Sequence, residues 1–230
     1  MIDGAILLRL TTWLSPSFPI GGYTYSHGIE YAVEAGLIKD AGSLAEWIEG
    51  LLAFGAGRLD ADLFRAAWSA VDADDGPALA DVVEWADALR GSAEMALESR
   101  SQGQAFLDTV RVVWPDPWLD VWAAELAEHG IRPAHAVAVA AAAGRLGAPL
   151  REALAVYLHA FAANLVSAGV RLIPLGQTDG QRVIARLEAV VIEAASAALS
   201  RPWEDLGGAA VMADWTSMKH ETQYTRLFRS

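Results

Sequence analysis

The sequence predicts an all-α protein, a single-domain helical bundle of roughly eight to ten helices. Three observations carry this. Apolar residues recur at three- and four-residue spacing through nearly all of the 230 residues, the period of one helix face. The breaks between these stripes hold glycine, proline and capping residues, which mark helix ends rather than domain linkers. No stretch combines period-two alternation with hairpin turn residues, so strands are not expected. No fixed-period repeat and no long polar linker divides the chain, so residues 1–230 read as one domain.

Taken in order, Ser43-Leu44-Ala45-Glu46 reads as a capping box. Leu44, Trp47, Ile48, Leu51 and Leu52 follow at helical spacing. Leu63, Phe64, Ala67, Trp68 and Val71 form a second stripe, closed by Asp74-Asp75-Gly76-Pro77. Pro77 then opens a helix carrying Leu79, Val82, Val83, Ala86 and Leu89, since proline suits a first helical turn. Ser92 opens a longer helix reaching about Val113 through Met95, Phe106 and Val110, and Asp116-Pro117 caps the next one. Pro133 starts an alanine-rich helix that Gly147 closes, and Thr178 with Gln181 reads as another capping box.

Pro149 opens the most apolar helix. Its run from Ala153 to Val170 has no charged residue and is long enough to cross a bilayer. It also carries His159, Asn164 and Ser167, and Arg151 and Arg171 flank it with no charge asymmetry. It therefore reads as the buried centre of a soluble bundle, with Phe161 in the core; no membrane partner is expected.

Two segments depart from regular helix. Residues 15–28, Ser-Pro-Ser-Phe-Pro-Ile-Gly-Gly-Tyr-Thr-Tyr-Ser-His-Gly, are broken by prolines and glycines yet dense in aromatic rings. The C-terminal tail, 202–230, carries Trp215, Met218, Tyr224, Leu227 and Phe228 close to a chain end, where order often depends on docking. Its last seventeen residues carry a net charge of +1, whereas the remainder carries −13.

Much chemistry is excluded. There are no cysteines, hence no disulfide, thiolate metal site or cysteine nucleophile, in keeping with a reducing cytoplasm. A net charge of −12 argues against nucleic acid as a partner. The N-terminus lacks the basic region of a signal peptide. Gly176-Gln177-Thr178-Asp179-Gly180-Gln181 lacks the Gly-Lys-Ser/Thr ending of a phosphate loop. His27 and Glu30, read as neighbours on a helix starting near Ser26, and His220-Glu221 in the tail are the only pairings suited to a metal. Such pairs are more often surface interactions than ligand sets. His129, His135 and His159 are isolated. The residues alone give no catalytic site, no metal site and no cofactor; the competing reading is a small metal-dependent hydrolase using His27, Glu30 and His220.

Three blocks in register resemble the urease accessory protein UreF family. They are Trp13 to Glu30, Asn164 to Leu172 running into Pro174 to Gln181, and Ser217 to Ser230. The resemblance spans essentially the whole chain. It implies an all-helical, non-enzymatic cytoplasmic protein, commonly a homodimer, that binds UreD (UreH in some systems) and recruits the GTPase UreG to the urease apoprotein. Nickel is then handled by the assembled complex rather than by a resident cofactor. It further implies that partners are engaged by the Gly-Gly-Tyr segment and by a tail that orders on binding, with Tyr23 and Arg226 at the contact. The candidate partner-binding set is Tyr23, Tyr25, His27 and Glu30 from the first segment. From the tail it is Met218, His220, Glu221, Tyr224, Arg226, Leu227 and Phe228.

Overall fold

The computed structural model describes residues 2–230, and it is all-α, with no strand among the described residues. The helices are α1 (Gly4–Trp13), α2 (Ile29–Glu34), α3 (Ala41–Phe54), α4 (Ala56–Asp72), α5 (Gly76–Ala88), α6 (Ala93–Val113), α7 (Pro117–Glu128), α8 (His135–Arg145), α9 (Leu150–Leu172), α10 (Gln177–Ser200) and α11 (Val211–His220). Ten of them have ten residues or more, and α2 has six. Short 3-10 turns occupy Gly22–Thr24 and Trp203–Asp205.

Helix starts follow capping chemistry, with some shifts from expectation. Asp75, Ser92 and Asp116 accept from the first-turn N–H groups of Ala78 at 3.0 Å, Met95 at 3.2 Å and Trp118 at 2.8 Å. The α3 cap is Asp40 rather than Ser43: its carboxylate accepts from Ser43 N at 2.8 Å, while Ser43 Oγ accepts from Asp40 N at 3.1 Å. Ser43 is thus the third helical residue of the box, with the stronger acceptor at the cap. Likewise α10 begins at Gln177, and Asp179, not Thr178 with Gln181, reaches back to the Gly176 N–H at 3.3 Å.

Helix α8 is the axle of the bundle. Every residue from Ala136 to Ala143 is at most 1% exposed, and α4, α6 and α9 pack around it. Its alanines let those helices come close, so the core is dense rather than bulky at its centre. Helix α9 is long and apolar enough to cross a membrane, but it buries Leu154, Leu158 and Leu165 fully within the bundle. Its other side is only half buried or exposed, at Phe161, His159 and Ser167. Phe161 is therefore not a core residue as expected; its ring lies edge-on to His27 at 5.2 Å between centroids.

Candidate functional site

The 15–28 segment is built around rings and positive φ. Phe18 is buried against Phe106 and Trp114, at centroid distances of 5.4 and 6.4 Å. Tyr25 is also buried, whereas Tyr23, on the 3-10 turn, is 63% exposed. His27 and Gly28 both have positive φ, 52° and 75°, which ends the loop and starts α2 only at Ile29. At Gly28 a side chain is excluded twice over. The φ disfavours it, and a Cβ there would lie 2.6 Å from Ser217 N in α11.

That close approach seats the tail. Thr216, Ser217 and His220 of α11 are fully buried, and Ser217 Oγ meets Ser92 Oγ at 2.6 Å. The His220 ring lies between Glu30 (3.0 Å) and Glu94 (2.6 Å). Beyond α11, Glu30 accepts from the backbone N–H groups of Leu227 (2.6 Å) and Phe228 (2.9 Å). Arg226 Nη1 donates to Glu94 at 2.6 Å. Ser230 Oγ donates to Glu98 at 2.7 Å, and the Ser230 carbonyl accepts from Ser26 N at 2.7 Å. Arg229 N donates to Thr24 O at 2.8 Å. The positive end of the chain thus meets the chain's own carboxylates, Glu30 and Glu98 buried and Glu94 half-buried.

Several expectations change. His27 and Glu30 are not a surface pair on one helix. The left-handed backbone at His27 turns its ring to Glu98 (2.9 Å), while Glu30 faces the tail. Of the three residues of the hydrolase reading, Glu30 and His220 meet and His27 stands apart with Glu98. Among the described residues no group of three or more His, Asp or Glu side chains is arranged to hold a metal. Arg226, which the resemblance places at the partner contact, donates to Glu94, and Arg171 stacks on the tail ring of Phe228, 4.3 Å from its centroid. Tyr25, Glu30, His220 and Phe228 are buried. Tyr23, Met218, Glu221, Tyr224, Arg226 and Leu227 are the members of the candidate set that face outward.

Beneath the loop lies a cavity of about 900 Å³ whose floor sequence reasoning missed. Asp60 accepts from Arg90 Nη1 and from the Tyr157 hydroxyl, each at 2.8 Å. Glu98 accepts from Gln102 Nε2 at 2.8 Å as well as meeting His27. The signal was there: Asp60 interrupts Leu59 and Leu63, and Glu98 and Gln102 sit on the Met95–Phe106 face of α6, polar residues at apolar positions. Burial opposes charging His27, but Glu98, then Asp60, outweighs it, so its pKa is raised above 6.5. Burial also raises the Tyr157 pKa well above 10, and Asp60 adds to the effect.

For His135 burial dominates and lowers the pKa to about 4. The unfolded chain takes up this proton near pH 6.5 and the folded chain only near pH 4, so stability falls as pH falls through that window. His27 acts elsewhere: its contribution is full below 6.5 and is lost as pH rises through its folded pKa. His135→Phe keeps a ring against Phe106 and Tyr157 and removes the titration. Urea unfolding at pH 7 and pH 5 should show the parent losing about 2 kcal/mol more than the variant, at 1.36 kcal/mol per pH unit. Equal losses would refute the assignment.

The family model for UreF matches residues 38–188. The urease accessory protein UreF of Magnetococcus marinus is 50% identical over 234 aligned residues, covering 100% of both chains. That of Bradyrhizobium diazoefficiens is 48% identical over 99% of this chain and 93% of its own. The UreF of Xanthobacter autotrophicus is 51% identical over 97% of this chain and 91% of its own. The family match, the near full-length relatives and the all-α bundle place this chain in the UreF family of urease accessory proteins.

Proposed function

We propose that this chain is a non-catalytic scaffold of urease maturation. It docks a UreD-type protein (UreH in some systems) on the face made by the Gly-Gly-Tyr loop and the tail, and it recruits the GTPase UreG to the urease apoprotein. It acts in the cytoplasm as a homodimer and needs no cofactor of its own, nickel being carried by the assembled complex. The order of the tail is completed by the partner.

The observation that supports this reading is the joining of residues about 200 positions apart into one surface, through Ser26 with Ser230 and Thr24 with Arg229. That surface leaves Tyr23, Met218, Tyr224 and Leu227 at 51% exposure or more, although each is large and apolar or aromatic. Exposed rings of this kind are the side chains that anchor protein interfaces. Their substitution should not disturb the fold, because Tyr224 is fully exposed and Tyr23 nearly two-thirds so.

Tyr23→Ala and Tyr224→Ala should therefore keep the parent's circular dichroism and melting temperature. Each should weaken capture of purified UreD by about tenfold or more, the loss of at least 1.4 kcal/mol typical of an anchor residue. Urease activation in cells should fall in parallel. Unchanged capture by both variants would remove this face as the docking site. Truncation from Lys219 onward is the less clean test, since it also strips Glu30 and Glu94 of their tail partners and Glu98 of Ser230.

A further inference from the structure

The cavity floor has an imbalance between donors and acceptors. Both carboxylates are occupied, Asp60 by Arg90 and Tyr157 and Glu98 by His27, Gln102 and Ser230. The nitrogens are not. Arg90, whose side chain is 5% exposed, donates through Nε to Ala86 O and through Nη1 to Asp60, and its Nη2 is buried without a partner. His27 Nδ1 and His135 Nε2 are likewise buried and unpartnered, and all three residues line the cavity.

A further positive feature adjoins the cavity at His135, which lines it. Helix α8 starts at His135, and Ala134 at its cap position supplies no side-chain acceptor. Its first-turn residues Ala136 and Val137 are 0% exposed, so their N–H groups are kept from bulk water. An uncapped helix start carries a partial positive charge and favours an anion. Asp60 is neutralised by Arg90, and Glu98 is already engaged by the His27 ring, Gln102 and Ser230. The unused capacity is thus made of donors and the helix terminus.

We propose that the floor of this cavity is a binding site for a small carboxylate-type anion of formate or acetate size, held by the second arm of Arg90, the His27 imidazole and the start of α8 at His135. Such an anion would accept from donors that otherwise stay buried and unpaired, a state that is costly for each polar group. A planar carboxylate also suits the forked guanidinium.

The test is a titration of the full chain with ¹³C-labelled formate, chloride being exchanged to hold ionic strength constant, followed by the imidazole resonances of His27 and His135. Saturable shifts at both rings are expected. Arg90→Lys keeps a cation for Asp60 but removes the second arm, and should weaken binding by about tenfold or more. His135→Phe, which keeps the ring packing, should weaken it as well. If the shifts grow linearly without saturating, the cavity holds only water and the proposal fails. Binding that is equally tight in both folded variants would also overturn it.

Discussion

Replacing Glu30 with alanine is expected to detach the tail from the body of the protein. One carboxylate, 8% exposed, accepts from His220 Nε2, Leu227 N and Phe228 N, and all three donors belong to the last eleven residues. Its loss leaves a buried imidazole facing Glu94 alone and two backbone N–H groups without acceptors. Removing one member of such a buried polar set costs about 3–5 kcal/mol. The cost cannot be shared out by repacking, because Gly28 already abuts the backbone of Ser217 and α11 has no room to settle. It can be avoided in one way, by the tail leaving. Global stability should then fall only by the free energy of tail docking, and the local signature should be large. Amide exchange in α11 should speed up by about two orders of magnitude or more, while α8 and α9 stay protected. Glu30→Gln, which keeps one acceptor oxygen, should fall between. If α11 exchanges at the parent's rate in Glu30→Ala, the carboxylate is not what holds the tail.

The helices were legible in the sequence because their information is local. Period, Asp and Ser caps, and Pro77 and Pro117 near helix starts act within a turn or two, so the starts at Ser92, Pro77 and Asp116 were legible, whereas Asp75, read only as closing the preceding helix, is the cap of α5. Even the errors were local in scale: Asp40 displaced Ser43 as a cap because a carboxylate three residues earlier could make the same bond with full charge. The site was legible only as two odd segments. Nothing in the spacing of His27 and Glu30 reveals that a left-handed residue sends one ring to Glu98 and leaves the other side chain for residues about 190 positions away. The charge contrast between tail and body was visible, but it served the chain's own carboxylates before any partner's surface. Phe161 was misplaced because a helix apolar all round does not say which side meets a cavity. The buried acids Asp60 and Glu98, and the half-buried Glu94, were passed over because a single carboxylate in an acidic chain looks like solvent-facing charge until its neighbours in space are known.

Gly103→Ala should destabilise the protein strongly even though glycine is the poorer helix former. The residue sits within α6, where alanine is intrinsically favoured by about 1 kcal/mol. A Cβ there, however, would lie 2.0 Å from Pro133 O, 2.8 Å from Ala134 C and 2.9 Å from His135 N. All three are backbone atoms of the entry to α8, so no rotamer change relieves the contact. Helix α8 cannot retreat either: α4, α6 and α9 pack around it, and Gly144 further along it would already place a Cβ 3.0 Å from Val71 Cγ1. Moving it would open gaps along a row of alanines that are at most 1% exposed, and such gaps lose packing contacts outright. Overpacking in a dense core costs about 1–3 kcal/mol and more where the backbone must shift, so a net loss of about 3 kcal/mol is expected. Gly50→Ala is the matched control. It lies inside α3 with nothing within 4 Å of an added Cβ, and it should gain up to about 1 kcal/mol. Urea unfolding of the pair should therefore give changes of opposite sign. A neutral or stabilising Gly103→Ala would mean that α6 and α8 do not approach as described, and the cavity floor built on that approach would fall with it.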